Sequence, residues 1–397
     1  MEIIGIRTAS LGDATYIVAI GSHAVIVDPQ RDIGRFLEVL EDKSLTLTHV
    51  VETHMHNDYI SGGRDLAKML EADLVLPAAS GASFAFMPAF HDEIIEGPQF
   101  SIRPLHTPGH TPAHTSYVIG TGDDDLVAAF TGGSLLVGAA GRSDLLGDQY
   151  ARQLARLQFG SLQRLAKLPD DTGVYPTHGE GSFCTASGAG RTTSTIGQEI
   201  AENPLYEFTD ADSFADSQLA GLVPYPTYYA QMGPINRDGP TAIGEPTVGD
   251  MDTSAMAAHI EAGGSVLDGR DRHDFASGHI PGSIGIEIGD SFAPWAGWLL
   301  EFDAPIALVL DPSQDADAAA VELARIGLEN VVGVMRGVGA WSDAGHELAR
   351  YETTTIDDLS MALTEGRDIQ VLDCRDPQEW AAGHIDGSVH CYVPDIR

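Results

Sequence analysis

Between Thr53 and Tyr59 the chain reads Thr-His-Met-His-Asn-Asp-Tyr, and this run constrains the fold more than any other. Successive side chains of an extended segment alternate sides, so His54, His56 and Asp58 would project to one face. Two imidazoles and a carboxylate converging at a strand end are the usual beginning of a divalent metal site. The β-prone stretch Thr48–Glu52 precedes the run and Ser61-Gly62-Gly63 follows it, so the ligands are expected at the C-terminal mouth of a strand.

Three further motifs lie downstream. Leu105-His106-Thr107-Pro108-Gly109-His110-Thr111-Pro112 is a turn carrying a histidine, and Phe130-Thr131-Gly132-Gly133 follows a strand-like run from Leu126. Pro176-Thr177-His178-Gly179 closes another strand, Gly173 to Tyr175. In order and spacing these motifs resemble the metallo-β-lactamase superfamily, over roughly residues 1–235. The stretches Ile26–Asp32 and His178–Cys184 are similar to its persulfide dioxygenase branch, which is often fused to rhodanese domains.

Two positions depart from that resemblance. The superfamily usually has a histidine directly after the motif's aspartate, where this chain has Tyr59. The branch has an aspartate after Thr-Gly, where this chain has Gly133. The resemblance implies an iron held by the first histidine of the pair, the Gly-His histidine and that aspartate, which map to His54, His110 and the missing carboxylate. What remains is a three-imidazole site of His54, His56 and His110 for one divalent metal, iron or zinc. Asp58 and His178 are left as half of a second site, where they would hold an ion weakly or orient the ligands, and Asp58 is also the candidate catalytic residue. Restoring the carboxylate with Gly133→Asp is expected to raise iron occupancy. His106 and His114 are read as flanking residues, His49 as a hydrogen-bonded strand residue and His91 as solvated.

Around these motifs the pattern is layered α/β. Ile33, Phe36, Leu37 and Leu40 follow helical spacing with Asp32 as N-cap, and Leu154, Leu157, Leu165 and Leu168 form a stripe ended by Pro169. Short β-rich runs (Tyr16–Ile20, Ala24–Asp28, Ser116–Ile119) separate the helices. The resemblance implies that these build an αββα metallo-β-lactamase sandwich over residues 1–235. Residues 236–250, rich in glycine and proline, read as a linker.

The last third carries an internal repeat. Val266-Leu267-Asp268-Gly269-Arg270-Asp271 and Gly278-His279-Ile280-Pro281-Gly282-Ser283 recur 105 residues later as Val371–Asp376 and Gly383–Ser388. The pattern resembles the opening half of a rhodanese domain, giving a rhodanese-like α/β domain over 251–350 and a truncated second segment over 354–397. A sulfurtransferase needs a cysteine on the loop after the central strand, where backbone N–H groups stabilise the thiolate. After Ile306–Leu310 the loop reads Asp-Pro-Ser-Gln-Asp, without a thiol. The same loop of the second copy would fall past Arg397. No rhodanese sulfurtransferase activity is expected.

Charge and cysteine content narrow the partners. A formal charge of −36, with lysine only at positions 43, 68 and 167, repels nucleic acid and anionic membranes. Three widely spaced cysteines do not make a disulfide framework, and no apolar run is long enough to span a bilayer. A soluble, cytoplasmic protein of sulfur metabolism is the expectation. The resemblance implies oxidation of a small-molecule thiol persulfide toward sulfite. Two other readings stand beside it: a zinc-dependent thioester hydrolase of the glyoxalase II type, in which Asp58 orients or accepts a proton, and a non-catalytic scaffold with a degenerate metal site. A protein partner for the rhodanese-like domain and a homo-oligomer stay open.

Overall fold

Residues 1–122, 127–179, 181–184, 191–244 and 246–396 are described by the computed structural model, so Leu126, Arg397 and, within the His178–Cys184 stretch, Glu180 lie outside the described residues. The chain divides into two compact units, Met1–Pro246 with Val321–Gly327, and Thr247–Ala320 with Leu328–Arg397.

In the first unit one six-stranded sheet runs in sequence order through β1 (Glu2–Thr8), β2 (Asp13–Ile20), β3 (His23–Val27), β4 (Thr46–Val51), β5 (Asp73–Pro77) and β6 (Met87–Ala89). The other sheet comprises β7 (Ile95–Gly97), β8 (Phe100–His106), β9 (Thr115–Thr121), β10 (Val127–Gly132), β11 (Gly173–Pro176) and β12 (Ser194–Thr195), also ordered consecutively. The helices of this unit are α1 (Gly34–Asp42), α2 (Gly63–Leu70), α3 (Asp148–Leu165), α4 (Ile196–Glu202), α5 (Ala211–Ala220) and α6 (Tyr229–Asp238).

Strand periodicity explains the layering. Val18, Val25, Val27 and Val51 point between the sheets and meet Phe100, Ile102, Tyr117 and Phe130 of the other sheet. Their neighbours Ile17, Ile26 and Val50 point the other way, onto Phe36 and Leu40 of α1 and Leu66 of α2. Both faces of these strands are therefore covered, which is why Tyr16–Ile20 is apolar without alternation. On the far side Leu154 belongs to the buried face of α3, while Leu162 and Leu165 pack on Leu105, Val118 and Val174. This is the αββα sandwich expected from the sequence.

Local details differ from the sequence reading. Helix α1 is capped by Ile33 with no side-chain cap bond, because the Asp32 carboxylate pairs instead with Arg35 at 3.0 Å. Leu157 is exposed, and Leu168 lies beyond the end of α3. The segment read as a linker starts within α6, which continues to Asp238.

The second unit contains a parallel sheet ordered β14-β13-β15-β16, with β13 (Ser265–Asp268), β14 (Ile284–Gly285), β15 (Ile306–Leu310) and β16 (Val331–Arg336). The repeat has a structural cause. Arg270 Nη2 donates to Asp268 Oδ2 at 2.6 Å and to the Gly278 carbonyl at 2.9 Å, tying the strand end to the Gly-His-Ile turn. In the second copy Arg375 Nη2 makes the same bonds to Asp373 and to the Gly383 carbonyl, at 2.6 and 2.8 Å. The parallel pair β17 (Leu372–Asp373) and β18 (Val389–His390) repeats the pairing of β13 with β14. No helix among the described residues is long and apolar enough to cross a membrane.

Candidate metal centre

Strand β4 ends at Val51, and the histidine run forms the loop beyond it. Helix α6 holds that loop in shape. Asn236 Nδ2 donates to the carbonyls of His56 and Tyr59 at 2.9 and 2.8 Å, while its Oδ1 accepts from Ser61 N at 2.9 Å. Tyr228 OH donates to the Asp58 carbonyl at 3.0 Å. These bonds satisfy backbone groups that a buried loop would otherwise leave unpaired.

Imidazoles gather here from three loops. The ring of His54 lies 4.1 Å from His56, 4.7 Å from His110, 5.0 Å from His114 and 5.4 Å from His178. All five are buried. One ligand atom each from His54, His110 and His178 lie within 4.8 Å of one another, as do those of Asp28, His54 and His56, and those of His56, Asp58 and His178. Every residue expected from the sequence is thus in the cluster, but His56 and His110 do not share a group among the described residues, whereas His110 and His178 do.

Carboxylates distribute charge unevenly over this cluster. His178 Nδ1 lies 2.8 Å from Asp13 Oδ1 and 3.2 Å from Asp58 Oδ2. Burial pulls the His178 pKa down, yet the Asp58 and Asp13 charges outweigh it and raise the pKa to about 10. His56 behaves alike: Asp28 and Glu52 overcome burial and raise it to about 10. His110 is pulled down to about 3, chiefly by burial and then by His178, and burial also holds His54 well below its usual value. Burial thus favours the neutral rings of His54 and His110, while carboxylates flank those of His56 and His178.

The donor set fits a divalent ion. His110 Nδ1 bonds the Arg142 carbonyl at 2.7 Å, which leaves Nε2 as a lone-pair nitrogen, and that atom is buried without a hydrogen-bond partner. His56 Nδ1 and Asp58 Oδ1 are buried and unpartnered too. Uncompensated buried acceptors are costly, and a cation would satisfy them.

Asp13, Asp28, Glu52 and Asn236 were not singled out from the sequence as site residues. Asp28 accepts from Thr53 N at 2.6 Å and from Thr53 Oγ1 at 2.7 Å, and also from the Thr177 hydroxyl. It joins the loops after β4 and β11. His114 is an inner residue, accepting from Gly133 N at 3.0 Å with Thr107 Oγ1 at 2.9 Å on its other nitrogen. His106 instead faces the Pro112 carbonyl, His49 bonds Thr48 and meets Phe100 edge to face, and His91 is exposed beside Asp92. Cys184 lies in the wall, with its thiol 3.6 Å from Asp58 Oδ2, and burial followed by the Asp58 and Asp13 charges pushes its pKa up. It is a packed thiol rather than a nucleophile.

The buried imidazole and carboxylate cluster at one end of the αββα sandwich is a candidate site for a divalent metal. Comparison with known proteins agrees. The model of the metallo-beta-lactamase superfamily matches residues 8–178, and that of the rhodanese-like domain matches 252–344 and 355–396. A metallo-beta-lactamase of Staphylococcus aureus subsp. aureus COL shares 28% identity at a TM-score of 0.76, over 85% of this chain and 99% of that one. ETHE1 from Myxococcus xanthus shares 31% identity at a TM-score of 0.51, over 60% of this chain and 98% of that one. The human mitochondrial persulfide dioxygenase ETHE1 is 30% identical over 46% of this chain and 66% of its own length. A hydroxyacylglutathione hydrolase of Methylobacillus flagellatus is 34% identical over 39% of this chain and 58% of its own. The chain thus spans less than two thirds of these two curated relatives. It belongs to the metallo-β-lactamase superfamily, in a persulfide dioxygenase-like branch, with rhodanese-like sequence following.

Proposed function

We propose that the chain is a metal-dependent enzyme that oxidises a low-molecular-weight thiol persulfide. The carrying observation is the position of Tyr59. Where a second ion of the superfamily's hydrolases would find a histidine, the Tyr59 hydroxyl is spent on the Asp28 carbonyl at 3.2 Å and on His56 Nε2 at 3.0 Å. A two-metal hydrolytic site is disfavoured by that arrangement, and a single ion is left. The likeness to persulfide dioxygenases supports the same choice.

The overall change would be RSSH + O2 + H2O → RSH + H2SO3. The outer sulfur becomes sulfite, the S–S bond breaks, and the four electrons released pass to dioxygen. The ion would be held from among His54, His56, His110, His178 and Asp58. Iron bound there would supply the dioxygen activation that no side chain provides. Asp13 and Asp58 orient the His178 ring, and Arg142 orients that of His110 through its carbonyl. Tyr228, Tyr229 and Cys184 wall off Asp58 and keep water from it.

A second reading, a zinc-dependent thioester hydrolase, draws on the likeness to hydroxyacylglutathione hydrolases and on the all-imidazole donors left by Gly133, which suit zinc. Metal analysis followed by assays with glutathione persulfide and with a glutathione thioester separates the two. Iron content with persulfide-dependent oxygen uptake supports the dioxygenase. Zinc content with thioester turnover supports the hydrolase, and a metal-free, inactive chain is the outcome expected of a scaffold.

A further inference from the structure

Each of three imidazoles has its Nδ1 committed elsewhere, and this selects which atoms face the ion. The Thr53 hydroxyl gives its proton to Asp28 and so accepts from His54 Nδ1 at 2.9 Å, leaving the lone pair of His54 on Nε2. His110 donates from Nδ1 to the Arg142 carbonyl, and its Nε2 is buried without a hydrogen-bond partner. His178 Nδ1 faces Asp13 and Asp58. Its Nε2 lies 3.4 Å from His54 Nε2. Ligand nitrogens about 2.0–2.1 Å from a tetrahedral ion are about 3.3–3.4 Å apart. The pair is already spaced as two ligands of one ion.

His56 is turned the other way round, with Nε2 engaged and Nδ1 buried without a partner, and among the described residues it shares no group with His110. Its Nε2 sits among three oxygens: Tyr59 OH at 3.0 Å, Glu52 Oε2 at 3.2 Å and Asp28 Oδ1 at 3.3 Å. Its ring stacks on Tyr59 at 4.3 Å and 22°. The two alternative groups each include a carboxylate, Asp28 being engaged by Thr53 and Thr177 and Asp58 by His178 through Oδ2 alone. Among the described residues only the His54, His110 and His178 group offers nitrogens alone.

We infer that the site binds a single ion through His54, His110 and His178, with His178 replacing the carboxylate that Gly133 lacks and His56 left outside the group that contains His110. The inference rests on the metal-dependent reading above and specifies its ligands. Asp13 and Asp58 then fix the His178 ring in a carboxylate–histidine–metal arrangement, and their loss costs affinity about 10–100-fold.

The test uses Co2+ titrated into the chelator-treated full chain, followed by visible absorption and stoichiometry, with circular dichroism on every variant. The expected result is one ion per chain with the intense absorption of a four-coordinate centre. His178→Gln and His110→Gln should each weaken binding by about 100-fold or more, and His56→Gln by less than about fivefold. Should His178→Gln fail to fold, X-ray absorption of the zinc-loaded wild-type chain counts the ligands directly, with three imidazoles expected. Two ions per chain, a His56→Gln loss equal to that of His178→Gln, or fewer than three imidazoles overturns the assignment while leaving metal dependence intact. A wild-type chain that binds no cobalt overturns both.

Discussion

Gly133 and the imidazole of His110 claim the same space. A Cβ on Gly133 would lie 2.6 Å from His110 Cγ and 2.8 Å from Nε2, and the backbone there is not left-handed. The obstacle to a side chain is therefore the His110 ring rather than glycine's φ. On the sequence alone, Gly133→Asp restores an iron ligand. In the folded site it first displaces the His110 imidazole.

Gly133→Ala and Gly133→Asp should consequently behave alike, each lowering metal affinity and costing about 1–3 kcal/mol through overpacking. Chemical denaturation and cobalt titration measure both effects. Raised iron content in the aspartate variant with none in the alanine variant would show that the missing carboxylate, not the steric conflict, governs the site.

Asn236→Ala should loosen the histidine loop. It removes three hydrogen bonds, to the His56 and Tyr59 carbonyls and from Ser61 N, and leaves those buried backbone groups unpaired. At about 1–3 kcal/mol for an unsatisfied buried group, a loss of about 2–4 kcal/mol is expected. Faster amide exchange should be confined to residues 53–62. Unchanged exchange there would mean that α6 does not hold the loop.

Asp28→Asn tests the junction between loops. The carboxylate takes two bonds from Thr53 and one from Thr177 beside the His56 ring, all buried. An amide cannot accept them all, and removing one partner of a buried charge pair costs about 3–5 kcal/mol. Urea unfolding should show that loss, whereas a cost under about 1 kcal/mol would deny Asp28 this role.

Much of this was legible beforehand, for identifiable reasons. The histidine run, Gly-His and Thr-His are local patterns whose spacing survives folding, and β15 follows the apolar run Ile306–Leu310 residue for residue. The pairing of His178 with His110 was not legible, because it depends on how the loops after β8 and β11 meet. Asp13 at the start of β2 gave no signal, since a lone carboxylate at a strand end looks solvated until His178 is packed on it. Asn236 was hidden for a different reason. Pro234 and the surrounding glycines suggested a linker, but Asn236 is buried in α6, where it bonds the histidine loop.

The rhodanese-like unit should show background activity with thiosulfate and cyanide. Its loop after β15 has no thiol, and the Asp311 N–H that would help cradle an anion is taken by Gln314 Oε1 at 2.8 Å. The neighbouring Gln314 Nε2 bonds the Gly269 carbonyl at 2.8 Å, which holds the side chain in place. Thiocyanate formation that disappears on replacing Cys184, Cys374 or Cys391 would contradict this and identify the cysteine responsible.

Oxygen consumption by the iron-loaded chain supplied with glutathione persulfide bears most directly on the proposed activity. Uptake should accompany sulfite in a one-to-one ratio and fall to background in His110→Ala, whose Nε2 is buried without a hydrogen-bond partner. A folded chain that holds iron, consumes no oxygen with the persulfide and hydrolyses a glutathione thioester instead would contradict it.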